Sequence, residues 1–114
     1  MARYAFYCLV QPRPDLPQII AELLSEQGLM VTYKTDDYVM AQESAGKIPF
    51  NKLAKVEVLI HKSDMQIDRI KLTCVTKNGE LQLQTLNYCQ SVSDKLLSAF
   101  RTSTKWQFLE QLNE

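Results

Sequence analysis

The dipeptide Asn78-Gly79, set between two runs that alternate apolar and polar residues, is the strongest constraint in this chain. A type I′ turn needs positive φ at both central residues, which Asn and Gly tolerate best, so residues 69–89 predict a β-hairpin with a two-residue loop. Loop length sets the register: Lys77 faces Glu80, Val75 faces Gln82, Cys74 faces Leu83 and Leu72 faces Thr85. One face then carries Ile70, Leu72, Cys74, Leu81 and Leu83, while the other carries Arg69, Lys71, Thr73, Lys77, Glu80, Gln82 and Gln84. The first face belongs to a core. The second belongs to water, with Lys77 and Glu80 as an opposite-charge pair worth a few tenths of a kcal/mol, roughly.

Other segments add to this hairpin. Residues 3–10 read as a strand that is apolar on both faces, with Tyr4, Phe6, Cys8 and Val10 on one and Ala5, Tyr7 and Leu9 on the other. Such a strand sits inside a sheet, so the amino-terminal strand is expected to insert between later ones. Pro12 and Pro14 end it because neither has a ladder N–H. Asp15 and Gln18 form a capping-box pattern around Pro17, and Leu16, Ile19, Ile20, Leu23 and Leu24 make one helical stripe that stops at Gly28.

Residues 30–43 suggest a second hairpin bending at Asp36-Asp37, and residues 54–62 a further strand with Val56, Val58 and Ile60 inward and Leu59 and His61 outward. Met65 and Ile67, in the connection that follows, either tuck under or mark a small contact point, and tucking under is the commoner outcome.

Ser91, Val92, Ser93 and Asp94 repeat the capping pattern before a helix over about residues 92–102. Trp106, Phe108, Leu109 and Leu112 then point nearly opposite to Val92, Leu96, Ala99 and Phe100 at about 100° per residue, so a separate helical segment is expected over residues 105–114. It either folds back across a sheet edge or offers an aromatic anchor to a partner. The whole reads as a single α+β domain over residues 1–114: one antiparallel β-sheet of about five to six strands with two main helices on one face, in β-α-β(4–5)-α order.

The run Val31 to Lys47, VTYKTDDYVMAQESAGK, with the later VEVLI and KWQ segments, resembles small cyanobacterial proteins of unassigned function. The element order resembles the TATA-box-binding-protein fold and the helix-grip domains that hold apolar ligands. These resemblances imply a topology and transfer no catalytic motif.

Charge and chemistry narrow the function. The 114 residues carry 13 Lys plus Arg against 13 Asp plus Glu, so no net field draws in nucleic acid or anionic lipid. Lys55, Arg69, Lys71 and Lys77 are the cations a nucleic-acid face would use, but Glu57 and Glu80 interrupt them. The amino terminus lacks the long apolar centre of a signal peptide and nothing approaches a transmembrane segment, so the expected location is cytoplasmic. Cys8, Cys74 and Cys89 have no CxxC spacing and are expected as free thiols, with no metal and no cofactor.

One histidine, no nucleophile motif and no glycine-rich loop argue against an enzyme. The leading expectation is a protein-interaction or assembly module, binding a protein partner or forming a homo-oligomer. Its surface would be Leu59, Lys71, Thr73, Val75, Gln82, Gln84, Leu86 and Tyr88 on the outer sheet face, with Trp106 and Phe108 from the terminal segment. The alternative is a carrier of a small apolar ligand between the sheet and the last helix, with a cavity lined by Leu23, Ile60, Leu72, Leu83, Leu96 and Phe100.

Overall fold

In the computed structural model, which describes residues 2–44, 52–79 and 88–112, the strand expected to begin the long hairpin instead joins two distant parts of the chain. This strand, β5 (Ile70–Asn78), pairs along its whole length with β1 (Ala2–Val10), and on its other edge with β4 (Lys55–Ile60). Asn78 is the last residue of β5, opposite Ala2, and no described non-glycine residue has positive φ, so Asn78 does not enter a type I′ turn. Its side-chain amide donates to the Lys52 carbonyl at 3.1 Å. Lys77 pairs with Glu57 at 3.1 Å. Residues 80–87, the expected second half of the hairpin, lie outside the described residues. The expected facing of Ile70, Leu72 and Cys74 toward the core holds.

β2 (Leu29–Lys34) and β3 (Tyr38–Glu43) form the second hairpin as expected, and β3 pairs with β4. The chain closes with β6 (Phe108–Leu112), antiparallel to β1, giving one antiparallel sheet of six strands in the order β2-β3-β4-β5-β1-β6. The amino-terminal strand therefore does insert between later ones, although only its Phe6, Cys8 and Val10 side is deeply buried.

α1 (Leu16–Glu26) buries the predicted stripe of Leu16, Ile19, Ile20, Leu23 and Leu24. The Asp15 carbonyl accepts from Ile19 N–H at 3.0 Å, but its side chain makes no cap hydrogen bond. Arg13 draws its carboxylate away with Nε–Oδ1 at 3.0 Å and Nη2–Oδ2 at 3.2 Å. The helix ends as the sequence indicates: Gly28 takes φ of +85° and its N–H donates to the Ser25 carbonyl at 3.0 Å.

α2 (Tyr88–Thr102) starts earlier than expected, because Cys89 extends the buried stripe through Ser93, Leu96 and Phe100 at spacings of one helical turn or two. Ser91 is inside the helix rather than capping it, and its hydroxyl donates to the Tyr88 carbonyl at 2.6 Å. Residues 105–112 are not helical. Trp106 is buried, and β6 folds back along the sheet edge beside β1, with Gln11 N–H donating to the Gln107 carbonyl at 3.0 Å. Arg13 Nη1 donates to the Lys105 carbonyl at 2.8 Å, and Lys105 pairs with Glu22 at 3.3 Å, tying this segment to α1.

One core cluster joins both helices to the inward side chains of the sheet, including Phe6, Val39, Val58, Leu72, Leu96 and Phe100. Phe100 lies edge to face with Phe6, ring centroids 5.3 Å apart. Both helices therefore cover the same side of the sheet.

Candidate interaction face

The side of the sheet away from the helices has its own side chains for cover, and the strand registers stack them in rows. Tyr38, Leu59, Thr73 and Tyr7 share one row, and Met40, Glu57, Val75 and Ala5 the next. Gln42, Lys55, Lys77 and Arg3 form a third, cationic row. Tyr33 stands opposite Met40 and meets Tyr38 edge to face at 6.0 Å. The first two rows give an aromatic and aliphatic band with Glu57 inside it, and Tyr33 at 55% and Leu59 at 37% exposure project from it.

Long polar side chains lie along this band instead of standing off it. Lys71 places Nζ 5.3 Å from the Tyr7 ring centroid, a cation–π contact. His61 Nε2 is 2.7 Å from Thr73 Oγ1, and Lys77 holds Glu57. Desolvation, then the adjacent Glu57 carboxylate, push the Tyr38 phenol above its ordinary range. Thr73 and Val75, in the middle, are buried by these neighbours.

The ten residues expected to form the site divide. Leu59, Lys71, Thr73 and Val75 come together on the outer face, with Thr73 and Val75 buried there beneath their neighbours. Gln82, Gln84 and Leu86 lie outside the described residues. Tyr88 is not among them: it opens α2 on the other side, where its hydroxyl donates to Glu43 Oε2. Trp106 is a core residue, at 5% exposure, and Phe108 is half-buried against the same core, so neither is a surface anchor. Sequence reasoning missed Tyr7, Tyr33, Tyr38 and Met40. The signal was present in the alternation of Tyr38 and Met40 with Val39 and Ala41, and in the outward Ala5, Tyr7 and Leu9.

Other chemistry is sparse. The His61–Thr73 pair could resemble a base and a nucleophile, but Thr73 is 8% exposed on a sheet surface between neighbouring strands. Cys8, Cys74 and Cys89 are all buried, and Cys89 Sγ donates to the Thr76 carbonyl at 3.3 Å. Burial pushes the Cys8 thiol up to about 12 and raises that of Cys74 as well, which suppresses the reactive thiolate. Among the described residues no group of three or more His, Cys, Asp or Glu is placed to hold a metal, and no helix is long and apolar enough to cross a membrane.

Of the residues expected to line a carrier cavity, Leu23, Ile60, Leu72, Leu96 and Phe100 are packed into the core; Leu83 lies outside the described residues. A cleft of about 240 Å³ opens between the start of α2 and the β2 end of the sheet, rimmed by Gln27, Glu43, Ser91 and Lys95. No protein family and no curated protein sequence gives a significant match to this chain.

Proposed function

We propose that the protein is a non-enzymatic interaction module that docks another protein on its outer sheet face. The observation that carries this reading is the band of Tyr33, Tyr38, Met40, Leu59 and Tyr7, laid over the buried Thr73 and Val75, on the side opposite both helices. Aromatic and Met side chains with a charged border are the composition of interface centres and rims. The cationic row at one end favours a partner with an apolar patch bordered by carboxylates. It favours nucleic acid less, since Lys77 is tied to Glu57 and Lys71 lies by Tyr7.

The test is a pull-down with the wild type, Leu59→Glu and Lys55→Glu, with sedimentation of the purified protein alongside. Both positions are exposed, so both variants should fold. A partner retained by the wild type, lost by Leu59→Glu and weakened by Lys55→Glu fits the reading. A partner held equally by all three contradicts it, and self-association abolished by Leu59→Glu would make the occupant a second copy.

A further inference from the structure

At the opposite end of the sheet from the cationic row, two connections splay apart. β1 stops at Val10, and Pro12 and Pro14 carry the chain off the sheet into α1, whose first turn contains Pro17. Across from them β4 ends at Ile60 and β5 begins at Ile70, with residues 61–69 looping between. The gap is a cleft of about 370 Å³, with the buried Leu16, Ile60 and Ile70 in its lining, Pro12 and Pro17 on one side and Met65 on the other.

Beside this hole stands a knob. Gln66 N–H donates to the Arg69 carbonyl at 2.8 Å, closing a turn whose tip is Ile67 and Asp68, and Met65 N–H donates to the Lys62 carbonyl at 3.2 Å. Met65 and Ile67 do not tuck under: Met65 is 54% exposed, and Ile67, at 102%, stands wholly in water. Ile67 is not in the lining of the cleft, so the bonded turn holds it clear of the hole that its own loop walls. An apolar side chain kept in water next to an apolar hole that it does not fill has the form of a contact site.

Charge bears on what fills the hole. Arg13 pairs with Asp15 at 3.0 Å, Lys62 with Asp36 at 3.1 Å and Arg69 with Asp68 at 3.4 Å. These three cations are matched by three carboxylates, so they do not recruit a charged ligand. Matching has another consequence. In a two-fold contact a patch meets its own copy, where any excess charge would face its like. These six groups carry no excess, and exposed pairs of this kind can exchange partners across such a contact at little cost.

We infer that two copies of this chain associate here about a two-fold axis, each inserting Ile67 into the cleft of the other. A knob and a hole side by side on one surface are what an isologous contact needs, because an axis passing between them seats both knobs at once. The bonded turn and the proline side of the cleft are already ordered, so little freedom is lost on association. The contact is small for an interface, which makes the dimer weak and dependent on concentration. It is separate from the outer face and stands or falls independently of it.

The experiment is sedimentation equilibrium of the purified protein from micromolar to millimolar concentration, with amide NMR spectra of the same samples. A monomer–dimer equilibrium is expected, with concentration-dependent shifts in residues 12–17 and 60–70. Ile67→Asp should weaken the dimer by about tenfold or more, since two isoleucines per dimer are returned to water. Met65→Glu should weaken it through the cleft, and Leu59→Glu should leave it unchanged. All three positions are exposed, so the fold is retained. Ile67→Asp keeps its cleft and Met65→Glu keeps its knob, so a mixture of the two should recover one insertion and associate more tightly than either alone. A monomer throughout the series, shifts centred on Tyr7, Tyr38 and Leu59, a dimer as tight in Ile67→Asp as in the wild type, or no gain on mixing would overturn the assignment.

Discussion

The indole N–H of Trp106 donates to the carbonyl oxygen of Phe100 at 2.9 Å while the two rings meet edge to face with centroids 5.1 Å apart. Phe100 is two residues from the end of α2, so its carbonyl belongs to the last turn, which has no intrahelical donor. Trp106 thus caps a helix with its polar atom and fills the core with its ring. Trp106→Phe should cost about 1–3 kcal/mol by leaving a buried carbonyl unpaired, and Trp106→Ala about 3–5 kcal/mol. Urea unfolding midpoints measure both, and equal small losses would count against the cap.

The same relationship changes what truncation should do. An aromatic tail could be removed without harm to the domain, but a chain ending before Lys105 loses Trp106 from the core and β6 from β1. Circular dichroism of the truncated protein should show loss of the cooperative transition. Wild-type melting would contradict this assignment.

Gly28 offers a cleaner test of local backbone preference. Its φ is +85° and a Cβ built there meets nothing within 4 Å, so only the conformation opposes a side chain. Gly28→Ala should destabilise by about 1–2 kcal/mol, and Gly28→Asn by less, because Asn visits the left-handed region more readily. Chemical denaturation of the two variants gives the comparison, and no difference from wild type would mean that the helix end tolerates another conformation.

The buried thiols set an alkaline limit. The Cys8 thiol rises from an ordinary 9.0 to about 12 through burial, and that of Cys74 rises through burial first and its neighbour Cys8 second. A raised pKa favours the protonated form in the folded chain, so this contribution is fully present below 9.0 and is lost as pH rises toward the folded values. Stability should fall by up to about 1.4 kcal/mol per pH unit for each thiol over that window. Urea midpoints from about pH 8 to about pH 10 should show a shallower decline in Cys8→Ala, and an unchanged slope would remove Cys8 from the account.

Much of the fold was legible because its signals were local. The α1 stripe, the Gly28 stop, the bend at Asp36-Asp37 and the alternation of Val56, Val58 and Ile60 each depend on neighbours a few residues away. Asn78-Gly79 misled for the opposite reason. Its local turn preference lost to the pairing of β5 with β1, where Asn78 lies opposite Ala2, a contact that no short window contains. The phase break before Trp106 correctly required a second burial direction, but five residues, Phe108–Leu112, cannot tell strand from helix by periodicity alone. For the outer face, Leu59, Lys71, Thr73 and Val75 were readable from alternation within strands. Their union with Tyr7, Tyr38 and Met40 required the strand order, and strand order rests on contacts remote in sequence.

The most direct test of the outer face as a docking surface is site-specific photo-crosslinking in cells. A photoreactive residue is placed at Leu59 in one protein and at Ser25, exposed on the helix side, in another. A discrete adduct from position 59 that is absent from position 25, and that disappears when Lys55→Glu is added, is the predicted result. Adducts of the same size and yield from both positions, or from position 25 alone, would contradict it.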